Sequence, residues 1–332
     1  MPHNILVIGA GSIGERHVRC FRKTGRAEIS ICELNSELRN QIQEKYALRE
    51  AFGDLDSALA NPPDAAVICT PAHLHIPMAR RIAEAGISML IEKPLSISRD
   101  GIDELAREIR ERDLKLSIAY VTRVHPVLQS MREAILSNRF GKPLELIAVS
   151  GQHFPLYRPA YREIYYTRHE TGGGAIQDAL THMLNASEWI VGPVTSLVCD
   201  AAHLSLEGVD VEDTVHLVTR HGAVLGIFSL NQHQAPNEST LTIVCERGTV
   251  RFEAHRTRWL SCVEPGTDWI VEFETSLERD DLFVRQADAF LDTLEGIAPA
   301  VCTLEEGLQT LKVNLAAIKS WQQRTWIDLN HD

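Results

Sequence analysis

No apolar run in this 332-residue chain approaches the roughly 18 to 20 residues that cross a bilayer. No cluster of Lys and Arg offsets the formal charge of −12, which argues against nucleic acid or an anionic membrane as a partner. C-x-x-C is missing as well. The seven cysteines (Cys20, Cys32, Cys69, Cys199, Cys245, Cys262, Cys302) are odd in number, scattered, and mostly set in apolar strand-like runs. They are expected to be reduced core residues, not a disulfide framework. His73-x-His75 lacks third and fourth ligands at a suitable spacing, so no metal is expected. There is no internal repeat and no low-complexity tract. A strand pattern begins within the first four residues, leaving no room for a secretory signal, and the expectation is a cytoplasmic protein. The remaining composition, 44% hydrophobic and 23% charged, belongs to an ordinary globular chain long enough for two domains.

The most informative segment is Ile5-Leu6-Val7-Ile8 running into Gly9-Ala10-Gly11-Ser12-Ile13-Gly14. An unbroken apolar stretch reads as a strand buried on both faces. In G-x-G-x-x-G the first glycine allows a tight turn, the second lets backbone approach a pyrophosphate, and the third lets helix and strand pack closely. A helix over Glu15 to Arg22 would then aim its free N–H groups and partial positive charge at the phosphates. Glu33 ends a second strand nineteen residues after Gly14, where a carboxylate can accept from ribose hydroxyls. Leu34 and Asn35 follow it, with no arginine to receive a 2′-phosphate, so NAD is favoured over NADP. Arg39, six residues on, is the one cation close enough in sequence to moderate that preference.

Strands expected at Ala65 to Thr70, Ser88 to Ile91 and Lys115 to Tyr120 alternate with helices at Ser36 to Tyr46, Pro77 to Ala85 and Ser98 to Arg112. That alternation predicts a doubly wound parallel sheet over residues 1–121. Beyond it, hairpin-like strands punctuated at His221-Gly222 and Arg247-Gly248 predict an α+β domain over 122–332 with a mostly antiparallel open sheet. Its helices are expected at Pro126 to Ser137, Ile176 to Val191, Asp281 to Glu295 and Leu304 to Gln322. The free face of that sheet suggests a homodimer or homotetramer.

Ligands of open parallel sheets bind beyond the carboxyl ends of the strands. Three loops qualify: Gly9 to Gly14, Cys69 to His75, and Glu92-Lys93-Pro94. Lys93, directly after a strand, can donate to a substrate oxygen and lower its proton affinity. A second constellation is Gly172-Gly173-Gly174 followed by Asp178-x-x-x-His182, whose acid and imidazole share one face of a helix. A histidine with an ordinary pKa near 6.5 suits proton exchange with a carbinol, a contribution of roughly 10² to 10⁴ in rate. Aromatics and arginines between Phe154 and Tyr166, Tyr157, Arg158 and Tyr161 among them, are candidate contacts to a sugar. Aromatic faces stack on C–H surfaces, and arginines grip carboxylates or phosphates. Arg158, Arg162 and Arg168 together hint at an acidic or phosphorylated sugar.

In residues and order these motifs resemble the Gfo/Idh/MocA family of oxidoreductases, and the resemblance covers most of the chain, including Glu212-Asp213-Thr214 and Glu246-Arg247-Gly248-Thr249. The resemblance implies that Lys93 is the catalytic lysine and His182 the acid/base. It further implies that Asp178 holds substrate or histidine, and that Lys93, Asp178 and His182 all touch substrate. Thr70, Pro71, His75, Glu92 and Lys93 would line the nicotinamide side, while Gly9, Gly11, Ser12, Ile13, Gly14 and Glu33 hold the rest of NAD. The implied reaction is reversible oxidation of a secondary alcohol on a sugar, polyol or sugar derivative. Two other readings stand beside it: an NAD-dependent glycoside hydrolase that oxidises its sugar only transiently, and a non-catalytic NAD-binding regulator.

Overall fold

A computed structural model of the chain describes residues 2–330. The chain forms two compact units, Met1–Val124 with Glu278–Leu308 and His125–Leu277 with Gln309–Asp332.

In the first unit, β1 (His3–Ile8), β2 (Ala27–Cys32), β3 (Ala51–Phe52), β4 (Ala65–Ile68), β5 (Ser88–Ile91) and β6 (Leu116–Ile118) form a parallel sheet in the order β3-β2-β1-β4-β5-β6. This is the doubly wound arrangement, in which the order reverses between β1 and β4. The continuous apolar runs are buried on both faces: Ile5, Val7, Ala65, Val67 and Ile91 are fully inaccessible. Helices α1 (Ser12–Lys23), α2 (Ser36–Tyr46), α3 (Leu55–Leu59), α4 (His75–Glu84) and α5 (Ile102–Glu111) connect the strands. Asn35 caps α2 by accepting from the Glu37 and Leu38 N–H groups. The helix expected to start at Ser98 starts at Ile102 instead. Ser98 Oγ is engaged with Asp100, and Gly101, at φ +75°, occupies the capping position. The late segment 278–308 belongs to this unit: Phe290 packs edge-on against Phe21 of α1, and Arg19 holds Asp280.

The second unit begins with α6 (Pro126–Leu136) and is built on nine strands among the described residues. They are β7 (Pro143–Gly151), β8 (Ser196–Ala202), β9 (Thr214–His221), β10 (Val224–Asn231), β11 (Glu238–Cys245), β12 (Gly248–Glu253), β13 (Arg258–Cys262), β14 (Ile270–Glu274) and β15 (Ile327–Asp328). All pairings are antiparallel except that of β7 with β10. Residues alternate between faces along β9 and β10, as expected of a sheet with one covered side. Leu217, Phe228 and Ile243 face a core with Leu128 and Met131 of α6, Leu184 of the helix Thr181–Val191, and Val313. Val149, Val218, Leu225 and Ile227 are exposed on the strands. Between β7 and the helical segment from Ile176, residues 152–174 form short helical turns around their own core of Phe154, Tyr161 and Tyr166 with Leu206, Val209 and Val211.

Burial pushes the thiols of Cys20, Cys32 and Cys245 up to about 11, which suits packing and not nucleophilic chemistry. Among the described residues no helix is long and apolar enough to cross a membrane, and no three His, Cys, Asp or Glu side chains are grouped to hold a metal ion.

Candidate active site

The β1–α1 turn is shaped by what its glycines leave out. A Cβ on Gly14 would lie 1.8 Å from the Gly9 carbonyl oxygen, so helix and strand can approach this closely only without a side chain there. A Cβ on Gly11 would meet nothing within 4 Å, so the space above the turn is open. Gly11 is also the N-cap of α1 and no side chain caps the helix, leaving the amides around Ser12 and Ile13 turned toward that space. Glu33 lies at the rim: Oε2 accepts the Ala10 N–H at 2.8 Å and Oε1 the Asn35 N–H at 2.9 Å. Arg39 Nη1 donates to the Glu33 carbonyl at 2.7 Å. The guanidinium is thus held on backbone behind the acid. A glycine cradle, an uncapped helix start and a ribose-side carboxylate together fit a dinucleotide.

At the ends of β4 and β5, two loops are tied together by buried side chains. The His75 ring stands between the Pro94 carbonyl (2.9 Å from Nδ1) and the Thr70 carbonyl (2.7 Å from Nε2). Burial lowers its pKa against the opposing pull of those two carbonyls. Its geometry makes it a brace between the Thr70-Pro71 loop and the Lys93-Pro94 loop. Glu92, expected on the cofactor, is 5% exposed and turned inward, where Oε1 meets His17 Nε2 at 2.7 Å and Oε2 accepts the Lys93 N–H at 3.1 Å. Burial pushes the Glu92 carboxyl up, but His17 and Lys93 together hold it below its usual value. Lys93 itself is half-buried at the end of β5.

In the second unit Asp178 and His182 lie on consecutive helical segments. The single α-helix expected over Ile176 to Val191 opens with a π turn over Ile176–Leu180, in which the Thr181 N–H reaches the Ile176 carbonyl, and continues as α-helix over Thr181–Val191. Such turns recur at functional sites. Asp178 is 9% exposed and accepts at Oδ1 from the Tyr165 hydroxyl at 2.7 Å; His182 is half-buried.

The insert 152–174 divides its expected ligand contacts. Tyr157 and Arg158 are exposed. Tyr161, expected to face substrate, is 2% exposed and donates to the Glu207 carbonyl at 2.7 Å, because three aromatic rings form the insert's own core. Arg162 is taken by the same carbonyl at 2.8 Å. Nothing in the sequence pairs Tyr165 with Asp178 or points to His17 and His169, and Glu212 stands out there only within Glu212-Asp213-Thr214. A buried acid or imidazole is visible in sequence only as a charged residue beside apolar ones. Glu212, just before β9, carries that weak signal.

Fold and site together define a two-unit dinucleotide-dependent oxidoreductase type. Residues 3–120 match the family model described as "Oxidoreductase family, NAD-binding Rossmann fold", and residues 128–251 match the "GFO/IDH/MocA C-terminal domain". The chain belongs to the Gfo/Idh/MocA oxidoreductase family. Myo-inositol 2-dehydrogenase of Thermotoga maritima is 23% identical, over 97% of either chain. The solved structure titled levoglucosan dehydrogenase in complex with NADH superposes with a TM-score of 0.89 at 18% identity, covering 99% of both chains. The WlbA dehydrogenase from Bordetella pertussis, solved with NADH and UDP-GlcNAcA, gives 0.85 at 26% identity, covering 100% of this chain and 99% of that one.

Proposed function

We propose that this chain is an NAD-dependent oxidoreductase acting on a secondary alcohol of a sugar, polyol or sugar derivative. The observation that carries the reading is the coexistence of an open glycine cradle at a helix start with an acid–imidazole pair, Asp178 and His182, on the π-to-α segment of the second unit. NAD, when bound, supplies the hydride-accepting centre. The residues of the chain handle position and proton. The His182 imidazole accepts the hydroxyl proton, the Lys93 ammonium donates to the alcohol oxygen as negative charge develops there, and Asp178 orients its partners. Thr70 and Pro71 line the nicotinamide side, braced by His75. Tyr157 and Arg158 are the insert's outward contacts to substrate.

Relatives named as dehydrogenases and reductases favour net oxidation over transient oxidation with hydrolysis, and over a regulator without catalysis. Glu33, with Arg39 held on its carbonyl, favours NAD over NADP. Scattered and mostly buried cysteines support a reducing, cytoplasmic setting. Exposed Leu225, Ile227, Val218 and Val149 on a sheet face support a homodimer or homotetramer.

The test is NADH absorbance with a panel of myo-inositol, levoglucosan, neutral hexoses and UDP-GlcNAcA. Net NADH formation with a sugar or polyol is expected. Release of an aglycone from a glycoside without net NADH would replace this reading with the hydrolase.

A further inference from the structure

Glu212 is a fully buried carboxylate to which the hydride-transfer reading gives no part. Its neighbours are donors. Oε1 accepts the Ile176 N–H at 2.8 Å, its main-chain carbonyl accepts the Ala175 N–H at 3.0 Å, and Oε2 meets His169 Nε2 at 2.5 Å. Gly174, at φ +89°, closes the arrangement: a Cβ there would lie 2.6 Å from Oε2. The helical segment bearing Asp178 and His182 therefore starts on Glu212, 36 residues away in sequence, and not on a local cap. Negative charge at a helix N-terminus is favourable. A carboxylate this deep is nevertheless costly unless it is paired. His169 supplies the pair, and its partly exposed ring has its pKa raised by that hydrogen bond against the opposing effect of burial. The His169 carbonyl also accepts from Gln177 Nε2 at 3.2 Å, a second tie between insert and helix.

We infer that Glu212 and His169 are positioning residues for Asp178 and His182, setting where their helix begins and joining it to the insert that carries Tyr165. The inference rests on the reading of Asp178 and His182 as the proton-handling pair. Glu212→Ala and His169→Leu remove the tie, whereas Glu212→Gln keeps an acceptor for the Ile176 N–H and His169→Gln keeps a donor for Glu212.

The four full-length variants are assayed with NAD and the most active compound among myo-inositol, levoglucosan and UDP-GlcNAcA, and amide hydrogen exchange is followed over residues 175–182. E212A and H169L are expected to lower kcat at least about tenfold while KM for NAD stays within about threefold. E212Q and H169Q should recover kcat to within about threefold, and faster exchange should appear only in E212A and H169L. Wild-type kcat in E212A or H169L, a loss confined to KM, or equal damage in the Gln variants overturns the inference. Where no compound is turned over, unchanged exchange in both variants overturns it. Should E212A fail to fold, H169L decides alone, since its side chain is partly exposed. Full turnover by D178N and H182A would instead sink the hydride-transfer reading itself. Loss in those two, with none in E212A or H169L, sinks only the positioning role.

Discussion

The Tyr165 hydroxyl donates to Asp178 Oδ1 across 2.7 Å, from a residue 38% exposed to one 9% exposed. A hydrogen bond to a charged group contributes about 1.5 to 3 kcal/mol, and one whose donor lies at the surface belongs at the low end. Tyr165→Phe is therefore expected to cost about 1.5 kcal/mol of stability and, because Asp178 loses a donor that orients it, to lower kcat/KM by about tenfold. Steady-state kinetics beside a thermal melt checks this. A large drop in melting temperature with unchanged kinetics would make Tyr165 a packing residue only.

His17 and Glu92 form a pair buried on both sides. Removing one partner of such a pair costs about 3 to 5 kcal/mol, because the other charge is left alone. His17→Leu should show that loss in guanidinium unfolding, and His17→Gln, which keeps a donor, clearly less. The Glu92 carboxyl is held below its usual value of 4.5, so the stability it contributes is present above that pH and is lost as pH falls through the lower folded value. Wild-type and H17L unfolding curves should accordingly converge toward pH 3.

The second and third glycines of the β1–α1 turn should separate folding from binding. Gly14→Ala sets a methyl 1.8 Å from backbone oxygen and is expected to destabilise the first unit severely. Gly11→Ala meets open space at φ −61°, so its melting curve should match wild type. That methyl would occupy the approach of a pyrophosphate, and NADH affinity should fall at least about tenfold. Fluorescence titration of NADH with both variants reads the difference.

His169 has its pKa raised by Glu212, with Glu170 adding to the effect and the Trp321 ring packed edge-on against it. The stability from its protonation is complete below its ordinary pKa of 6.5 and is lost as pH rises through the higher folded value. Between about pH 6 and 9 the wild-type melting temperature should fall more than that of His169→Gln. Parallel curves would show that the imidazole carries no charge in this pair.

Much of the first unit was legible because its strands are continuous apolar runs bounded by Gly and Pro, as at Ile5–Ile8 before Gly9 and Ala65–Ile68 before Pro71. A helix over Ile176 to Val191 was legible as well. The π turn that carries Asp178 was not, because it is set by Glu212, whose partnership depends on the chain returning from 36 residues away. An aromatic in an irregular stretch has two fates in sequence, stacking on a ligand or closing a small core, and Tyr161 takes the second. The helix Asp281–Leu294 reads as amphipathic, but nothing local tells that its Phe290 packs on Phe21 of the first unit. Glu92 follows a strand as a site residue would, yet its buried carboxylate serves to hold the Lys93 backbone.

The central claim is most directly tested by turnover in Lys93→Ala and His182→Ala, read as NADH formed from the best substrate of the panel, with NADH binding titrated on the same samples. Both variants should lose at least about tenfold in kcat while binding NADH within about threefold of wild type. Full turnover in either, with NADH bound normally, would contradict the account.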